Sequence, residues 1–274
     1  FNAPLESAFT LVYWDQRGAG KSFDRKIAPS SMTVEQSIAD LDGLVDWVRQ
    51  RLGQQKVAIF GHSWGSVLGS LYAARFPEKV SVYIGCEQVG DSVAAEAASY
   101  ALALVEAERR NNTKALTQLA AIGQPPYSSA GAVFTERTWH QRFDGQLTWR
   151  ALWKFGRDFL ACPEVSIADL PNLVRGFRFT FNAMWPEVST LNLLKLVPAL
   201  QMPVFFFVSA LDHWVPPETS IAYFDALTAP SKQLVWFQKS GHEPFLDEPE
   251  TFNHTMVDVV RPAVMAALAN RKAA

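Results

Sequence analysis

The chain has 274 residues, of which 49% are hydrophobic and 19% are charged, and its formal net charge is −2 at pH 7. This composition excludes intrinsic disorder, and the lack of a long basic run argues against a nucleic-acid partner. No apolar stretch approaches the roughly 18 residues that cross a bilayer, and the first residues have no leader pattern. We therefore predict a cytoplasmic globular protein with no membrane partner.

Strands and helices alternate in the first third of the chain. Runs of β-branched and aromatic residues predict buried strands, and apolar residues at helical spacing between them predict helices. The segments, in chain order, are strand Phe9–Trp14, helix Thr33–Gly53, strand Lys56–Phe60, helix Val67–Arg75 and strand Val80–Ile84. This order predicts right-handed crossovers and a mostly parallel sheet flanked by helices, which is an α/β fold.

A long helical segment separates the third predicted strand from the fourth. The next strand candidate, Pro203–Val208, follows only after residues 86–202, whereas a crossover between parallel strands needs about a dozen residues. Ser92–Arg110 is alanine-rich and Thr113–Ile122 is also helix-forming, so the insert is predicted to be helical. We expect residues 1–90 and 200–274 to form the core, and residues 91–199 to form a helical cap.

The alternating pattern resumes after the insert. A helix is predicted to begin at Pro217 and to end before Pro230, because proline is tolerated in the first turn of a helix but not in its interior. Gln233–Phe237 predicts a fifth strand, and Pro249 begins a terminal helix. Sites in parallel sheets collect where the strands end, so the loops after these strands are the places to look for chemistry.

The pentapeptide Gly61–Gly65 matches G-x-S-x-G and lies between a predicted strand and a predicted helix, which is the context of a nucleophile elbow. In so tight a turn, side chains two residues before and after the serine would clash, so we expect both positions to require glycine. Ser63 is the candidate nucleophile. The backbone N–H of Trp64, at the start of the helix, is the candidate oxyanion donor.

A serine hydroxyl needs a base, and the base needs an acid that fixes its tautomer. Asp212 directly follows the fourth strand and His242 follows the fifth, so they are the candidate acid and base. Asp225, on the helix between them, is the rival acid. Structural or surface roles are expected for the other histidines, which are His62, His140, His213 and His254. The sequence has no H-x-x-x-H pattern and no cysteine pair, so neither a metal nor a cofactor is predicted.

Two segments resemble the proline iminopeptidase-like branch of the α/β-hydrolase fold. Tyr13–Ser22 resembles its D-Q-R-G-x-G-x-S motif, and Gly61–Ser66 resembles its G-x-S-W-G-x motif. The resemblance implies a serine hydrolase with a helical cap over the site. Carried over by position, its catalytic triad is Ser63, Asp212 and His242.

The resemblance also implies an oxyanion loop, H-G-G-P-G, that follows a strand upstream of the D-Q-R-G segment. This chain contains no such loop, so the second oxyanion donor is expected upstream of Phe1. A fragment of the same protein that completes the sheet is then an expected partner.

The first functional hypothesis is an aminopeptidase that releases small N-terminal residues such as proline from short peptide or other small-molecule substrates. A carboxylesterase for small apolar esters is the alternative, because the cap is rich in aromatic residues and an ester needs no carboxylate to bind an amine. A non-catalytic, ligand-binding α/β hydrolase is the alternative from another class, because the fold alone does not determine function. Four glutamates could bind a substrate amine, but each is expected to be a solvated surface charge: Glu87, Glu96, Glu136 and Glu164.

Overall fold

The computed structural model describes residues 3–127, 129–145, 149, 153, 156–157, 161–162 and 166–269. Contacts divide the chain into two compact units. The first unit contains Phe1–Tyr13, Ile38–Ala95 and Leu191–Ala274, and the second contains Trp14–Ser37 and Glu96–Thr190. The second unit thus includes a segment near the N-terminus that the sequence division assigned to the core.

A close backbone contact explains why Trp14–Ser37 belongs to the second unit. A Cβ atom added to Gly176 would lie 2.8 Å from the carbonyl oxygen of Gly18, and one added to Gly18 would lie 3.0 Å from Thr180 Oγ1. Gly176 is therefore needed for the loop to lie against the helix that carries it, and the positive φ of 74° favours glycine at position 18. Contacts between residues so far apart in the chain leave no local pattern in the sequence.

The first unit contains a four-stranded parallel sheet in the order β1-β2-β3-β4. The strands are β1 (Val57–His62), β2 (Val80–Cys86), β3 (Val204–Ser209) and β4 (Lys232–Phe237). Every residue of β2 and β3 is buried, as expected for the central strands of a parallel sheet covered on both faces. The α/β fold with a parallel sheet flanked by helices is therefore confirmed.

The prediction of a strand at Phe9–Trp14 is wrong. This segment forms no ladder and runs as irregular chain. Phe9 and Leu11 pack partly against the core, whereas Val12 and Tyr13 are exposed. A strand exists only where a neighbouring strand accepts its hydrogen bonds, so residues that favour strands do not suffice.

The helices of the described residues include every helix predicted from the sequence, with bounds close to the predicted ones, and further helices for which no bounds were predicted. They are α1 (Val34–Leu52), α2 (Trp64–Arg75), α3 (Ser92–Arg109), α4 (Thr113–Ile122), α5 (Ala130–Phe143), α6 (Leu170–Val188), α7 (Leu193–Leu196), α8 (Pro217–Ala226), α9 (Pro244–Asp247), α10 (Pro249–Thr255) and α11 (Arg261–Ala269). The Thr33 hydroxyl accepts a hydrogen bond from the Gln36 amide at 3.1 Å and caps α1. None of the helices described is both long and apolar enough to cross a membrane.

Aromatic side chains form the centre of the core in the first unit. The Phe207 ring lies 5.4 Å from Phe237 and 5.7 Å from Phe252, measured between centroids. These contacts join β3, β4 and α10 near the carboxyl ends of the strands. The packing therefore fixes the positions from which the loops after β3 and β4 leave the sheet.

Candidate active site

Ser63 lies in a strained turn between β1 and α2. Its backbone angles are φ 54° and ψ −120°, a region that costs a residue with a side chain about 1 to 3 kcal/mol. The Ser63 amide donates to the carbonyl oxygen of Cys86 at 3.0 Å, and the Ser66 hydroxyl donates to the Ser63 carbonyl at 2.6 Å. These hydrogen bonds hold the turn, so the sequence folds here as the elbow motif predicts.

The two glycines of the motif have different roles. A Cβ atom added to Gly61 would lie 2.2 Å from the carbonyl oxygen of Gly65, so only glycine fits at position 61. A Cβ atom added to Gly65 would meet nothing within 4 Å outside its own helix turn. The expected clash is therefore real at Gly61, and the same expectation at Gly65 is wrong.

Asp212 and His242 come together at the carboxyl end of the sheet. Both side chains are buried, and His242 Nδ1 lies 2.8 Å from Asp212 Oδ2. Asp212 Oδ1 accepts from the amides of Trp214 at 2.8 Å and Val215 at 3.1 Å. Burial opposes the charged form of Asp212, but the charge and hydrogen bond of His242 outweigh it and lower the pKa of Asp212 below its ordinary value.

Two acidic side chains hold the loop that carries His242. Glu248 Oε1 accepts from the Lys239 amide and the Ser240 hydroxyl, both at 2.8 Å. Asp247 Oδ2 accepts from the Gly241 amide at 2.9 Å. Neither residue is among the candidates predicted from the sequence, although an acidic pair shortly after a candidate histidine is a recognisable pattern.

His62, inside the elbow motif, is also a neighbour of His242. Its Nε2 lies 2.6 Å from the His242 carbonyl oxygen, and the two rings are 4.8 Å apart. Burial, with a smaller contribution from His242, lowers the pKa of His62 to about 4. Because a carbonyl oxygen only accepts, the neutral His62 ring donates its Nε2 proton and holds the backbone of His242.

Among the described residues, Ser63 makes no side-chain hydrogen bond to His242. Such a contact is often long before the substrate binds and tightens only in the complex. Ser63 directly follows His62 in the chain, and the ring of His62 packs against His242. The structure therefore brings the candidate base close to the elbow.

A family model described as alpha/beta hydrolase fold matches residues 1–249. The chain belongs to the α/β-hydrolase fold family. Over 260 residues it is 29% identical to the Bacillus subtilis (strain 168) protein named "Probable aminopeptidase YbaC", covering 93% of the chain and 81% of that protein. Over 252 residues it is 26% identical to a proline iminopeptidase of Heyndrickxia coagulans, covering 88% of the chain and 78% of that protein.

Solved structures with low sequence identity share the fold. The structure of VinJ has a TM-score of 0.66 and 18% identity, with 96% of this chain and 84% of that chain covered. The structure of a proline iminopeptidase of Mycobacterium smegmatis has a TM-score of 0.62 and 17% identity, with 93% and 80% covered. These structures show the fold, and the family model together with the named relatives shows that the chain is a serine hydrolase similar to the proline iminopeptidases.

The rival acid and two of the other histidines of the hydrolase, His140 and His254, take no part in the contact between Asp212 and His242. Asp225 is exposed on α8. His254 is exposed and pairs with Asp258 at 2.7 Å. His140 is buried in the second unit, where its Nε2 lies 3.2 Å from the Ser99 hydroxyl. Within the described ranges, no group of three or more His, Cys, Asp or Glu residues is arranged to hold a metal ion.

The expectation that the four glutamates are solvated surface charges is wrong for the three that the structure describes, and Glu164 lies outside the described residues. Glu87, Glu96 and Glu136 are all buried. Arg137 explains the burial of two of them, because it pairs with Glu96 and, at 2.8 Å, with Glu136. Burial raises the pKa of Glu96 to about 6, although the charge of Arg137 opposes this shift.

Glu87 is buried beside Asp212 rather than beside a cation. The Ser209 hydroxyl donates to Glu87 Oε1 at 2.6 Å. Burial, and after it the negative charge of Asp212, raises the pKa of Glu87 well above its ordinary value. The contact of Glu87 with the candidate acid could not be predicted from the sequence, because no motif surrounds Glu87.

Proposed function

We propose that this serine hydrolase cleaves its substrate through a triad of Ser63, His242 and Asp212 and an acyl-enzyme. The observation that carries the proposal is the 2.8 Å contact between His242 Nδ1 and Asp212 Oδ2. It occupies Nδ1, so Nε2 is the ring nitrogen that can take a proton. The strained turn at Ser63 supports the proposal, because strain persists where function requires it.

The reaction then follows from the chemistry of these groups. Ser63 Oγ attacks the substrate carbonyl carbon as His242 Nε2 takes the hydroxyl proton, and the charge of Asp212 stabilises the imidazolium. The Trp64 N–H, at the start of α2, donates to the oxyanion. His242 gives its proton to the leaving group, and a water molecule that His242 activates then hydrolyses the acyl-enzyme.

The second oxyanion donor belongs to the same proposal. Within the described residues β1 pairs with β2 alone, so its other edge can accept a further strand. A segment upstream of Phe1, paired with this edge, would supply a second N–H. That origin stays a prediction, as does a cytoplasmic location.

We infer that the substrate is a short peptide or amide with a small N-terminal residue such as proline. The support is the similarity to a proline iminopeptidase and to a protein named as an aminopeptidase. Turnover of proline anilide above that of a butyrate ester would agree with the peptidase. Turnover of the butyrate ester alone would instead identify an esterase.

A fluorophosphonate probe with peptide mapping tests the mechanism. We expect the probe to label Ser63 in the wild-type protein and to leave the Ser63→Ala variant unlabelled. The variants His242→Ala and Asp212→Asn should be labelled far more slowly, by about 1000-fold or more. Ser231→Ala, an exposed serine at the opposite end of the sheet, is the matched control and should be labelled as the wild type is. Labelling that persists in Ser63→Ala would refute the proposed triad.

A further inference from the structure

Glu87 occupies the position where the loops carrying the nucleophile and the acid meet. It directly follows β2, which lies between β1 and β3 in the sheet. Its amide donates to the Phe207 carbonyl on β3 at 2.9 Å, and the neighbouring Cys86 carbonyl accepts from the Ser63 amide at 3.0 Å. One short stretch of backbone therefore contacts both the elbow and the strand that leads to Asp212.

The backbone of Glu87 is strained and its side chain is completely buried. Its φ angle is 48°, in the left-handed region that residues with a side chain rarely adopt, and its exposed fraction is 0%. Glycine would take this conformation without strain, but it would bring no carboxyl group. Strain of this kind, in a residue that is not glycine, is a reason to ask what its side chain does.

The side chain of Glu87 links β3 to the candidate acid. The Ser209 hydroxyl donates to Oε1 at 2.6 Å, and the Ser209 amide lies 3.3 Å from Oε2. The Glu87 carboxyl also shares a hydrogen bond with the side chain of Asp212. Two buried carboxyl groups in contact cannot both carry a negative charge, so one of them holds a proton.

The hydrogen bonds decide which carboxyl group holds the proton. Asp212 accepts from the amides of Trp214 and Val215 and from the His242 ring, and these three N–H donors stabilise its negative charge. The described contacts of Glu87 include no cation. Glu87 is therefore the neutral partner, and its O–H group is the donor in the hydrogen bond to Asp212.

We propose that Glu87 is a positioning residue of the hydrolase, whose neutral carboxyl group donates to Asp212 and keeps Asp212 Oδ2 directed at His242 Nδ1. This inference rests on the proposed triad. The neutral donor matters because an ionised carboxylate in the same place would repel Asp212. Position 87 thus needs a hydrogen-bond donor of the size of glutamate rather than a negative charge.

Two substitutions separate the donor from the charge. Glu87→Gln keeps the shape and an N–H donor, whereas Glu87→Leu keeps the bulk and removes the donor. Glu78→Gln is the matched control, because Glu78 is exposed and precedes the amino end of the same strand. Ser209→Ala removes the hydroxyl that holds Oε1 and tests the same link without changing Glu87.

We would measure kcat and KM with whichever of proline anilide and a butyrate ester is turned over faster. A thermal melt and the downfield proton resonance of the His242 Nδ1–H group complete the measurements. In Glu87→Leu we expect kcat to fall about 10- to 100-fold while KM changes less than about twofold. Glu87→Gln should restore kcat to within about fivefold of wild type and retain the downfield resonance. Glu78→Gln should match the wild type in every measurement.

The outcomes are distinguishable from a failure of the proposed function. If Ser63→Ala keeps its activity, the proposed triad is wrong, whatever Glu87 does. If Ser63→Ala is inactive and folded Glu87→Leu keeps wild-type kcat, the inference about Glu87 alone is overturned. The inference about Glu87 is also overturned if kcat falls as much in Glu87→Gln as in Glu87→Leu. If Glu87→Leu does not fold, Ser209→Ala decides: a lower kcat at constant KM supports the inference, and unchanged kcat overturns it.

Discussion

Replacing Gly61 with alanine tests whether the elbow geometry depends on close backbone packing. The new Cβ atom would lie 2.2 Å from the Gly65 carbonyl oxygen, 2.6 Å from the Gly65 carbonyl carbon and 2.8 Å from Ser66 Cα. All three are backbone atoms, so no flexible side chain can move away. Because ordinary contact begins near 3.4 Å, the start of α2 would have to move by about 1 Å.

The expected cost follows from that displacement. Forcing an extra carbon into a packed site costs about 1 to 3 kcal/mol, and the upper end applies here because only backbone surrounds it. At this chain length, 3 kcal/mol lowers the melting temperature by roughly 5 °C. A shift of about 1 Å at Ser63 should also reduce kcat/KM by roughly 100-fold.

The assay is a thermal melt of Gly61→Ala beside Gly65→Ala, with kcat/KM measured for the first variant. Gly65→Ala is the matched control for stability, because a Cβ atom there meets nothing within 4 Å outside its own helix turn. Alanine is also favoured over glycine inside a helix by about 1 kcal/mol. A wild-type melting temperature for Gly61→Ala, or an equal loss in both variants, would refute the reasoning.

Three further predictions concern titration and the loop of His242. The pKa of His62 is about 4 in the fold and about 6.5 in the unfolded chain, so the unfolded state binds the proton first as the pH falls. The free energy of unfolding should drop by about 2 kcal/mol from this source between pH 7 and pH 5. Denaturant titrations should show that His62→Gln removes this loss of stability and that His254→Gln, at an exposed position, does not. If the free energy of unfolding changes equally with pH in the two variants, the loss does not come from His62. Glu96 changes the free energy of unfolding in the opposite direction. Its pKa of about 6 lies above the ordinary value of 4.5, so its stabilising proton is lost as the pH rises. In the same titrations, the free energy of unfolding of Glu96→Gln relative to wild type should increase by about 1 kcal/mol between pH 5 and pH 7. If it does not increase, the prediction for Glu96 is wrong. Glu248→Ala removes the acceptor for the Lys239 amide and the Ser240 hydroxyl; steady-state kinetics should show kcat lowered about tenfold, and a change in KM alone would count against it.

Local patterns in the sequence were enough to predict most elements and the elbow. The helix that begins after Thr33 could be predicted from its cap and its apolar spacing, and both are properties of adjacent residues. Gly61 and Ser63 were recognisable for the same reason, because the tight turn places its requirements on five consecutive residues. Asp212 and His242 were found as candidates because each directly follows a predicted strand of a parallel sheet.

The sequence by itself thus determined the order of strands and helices, the fold class and the candidates for the triad. The tertiary structure decided what depends on partners far along the chain. Phe9–Trp14 has the composition of a strand, but no strand of the described residues pairs with it, and the buried Glu87 accepts a hydrogen bond from Ser209, 122 residues away. Hydrogen-bond partners and burial come from segments that only folding brings together, so no local pattern encodes them.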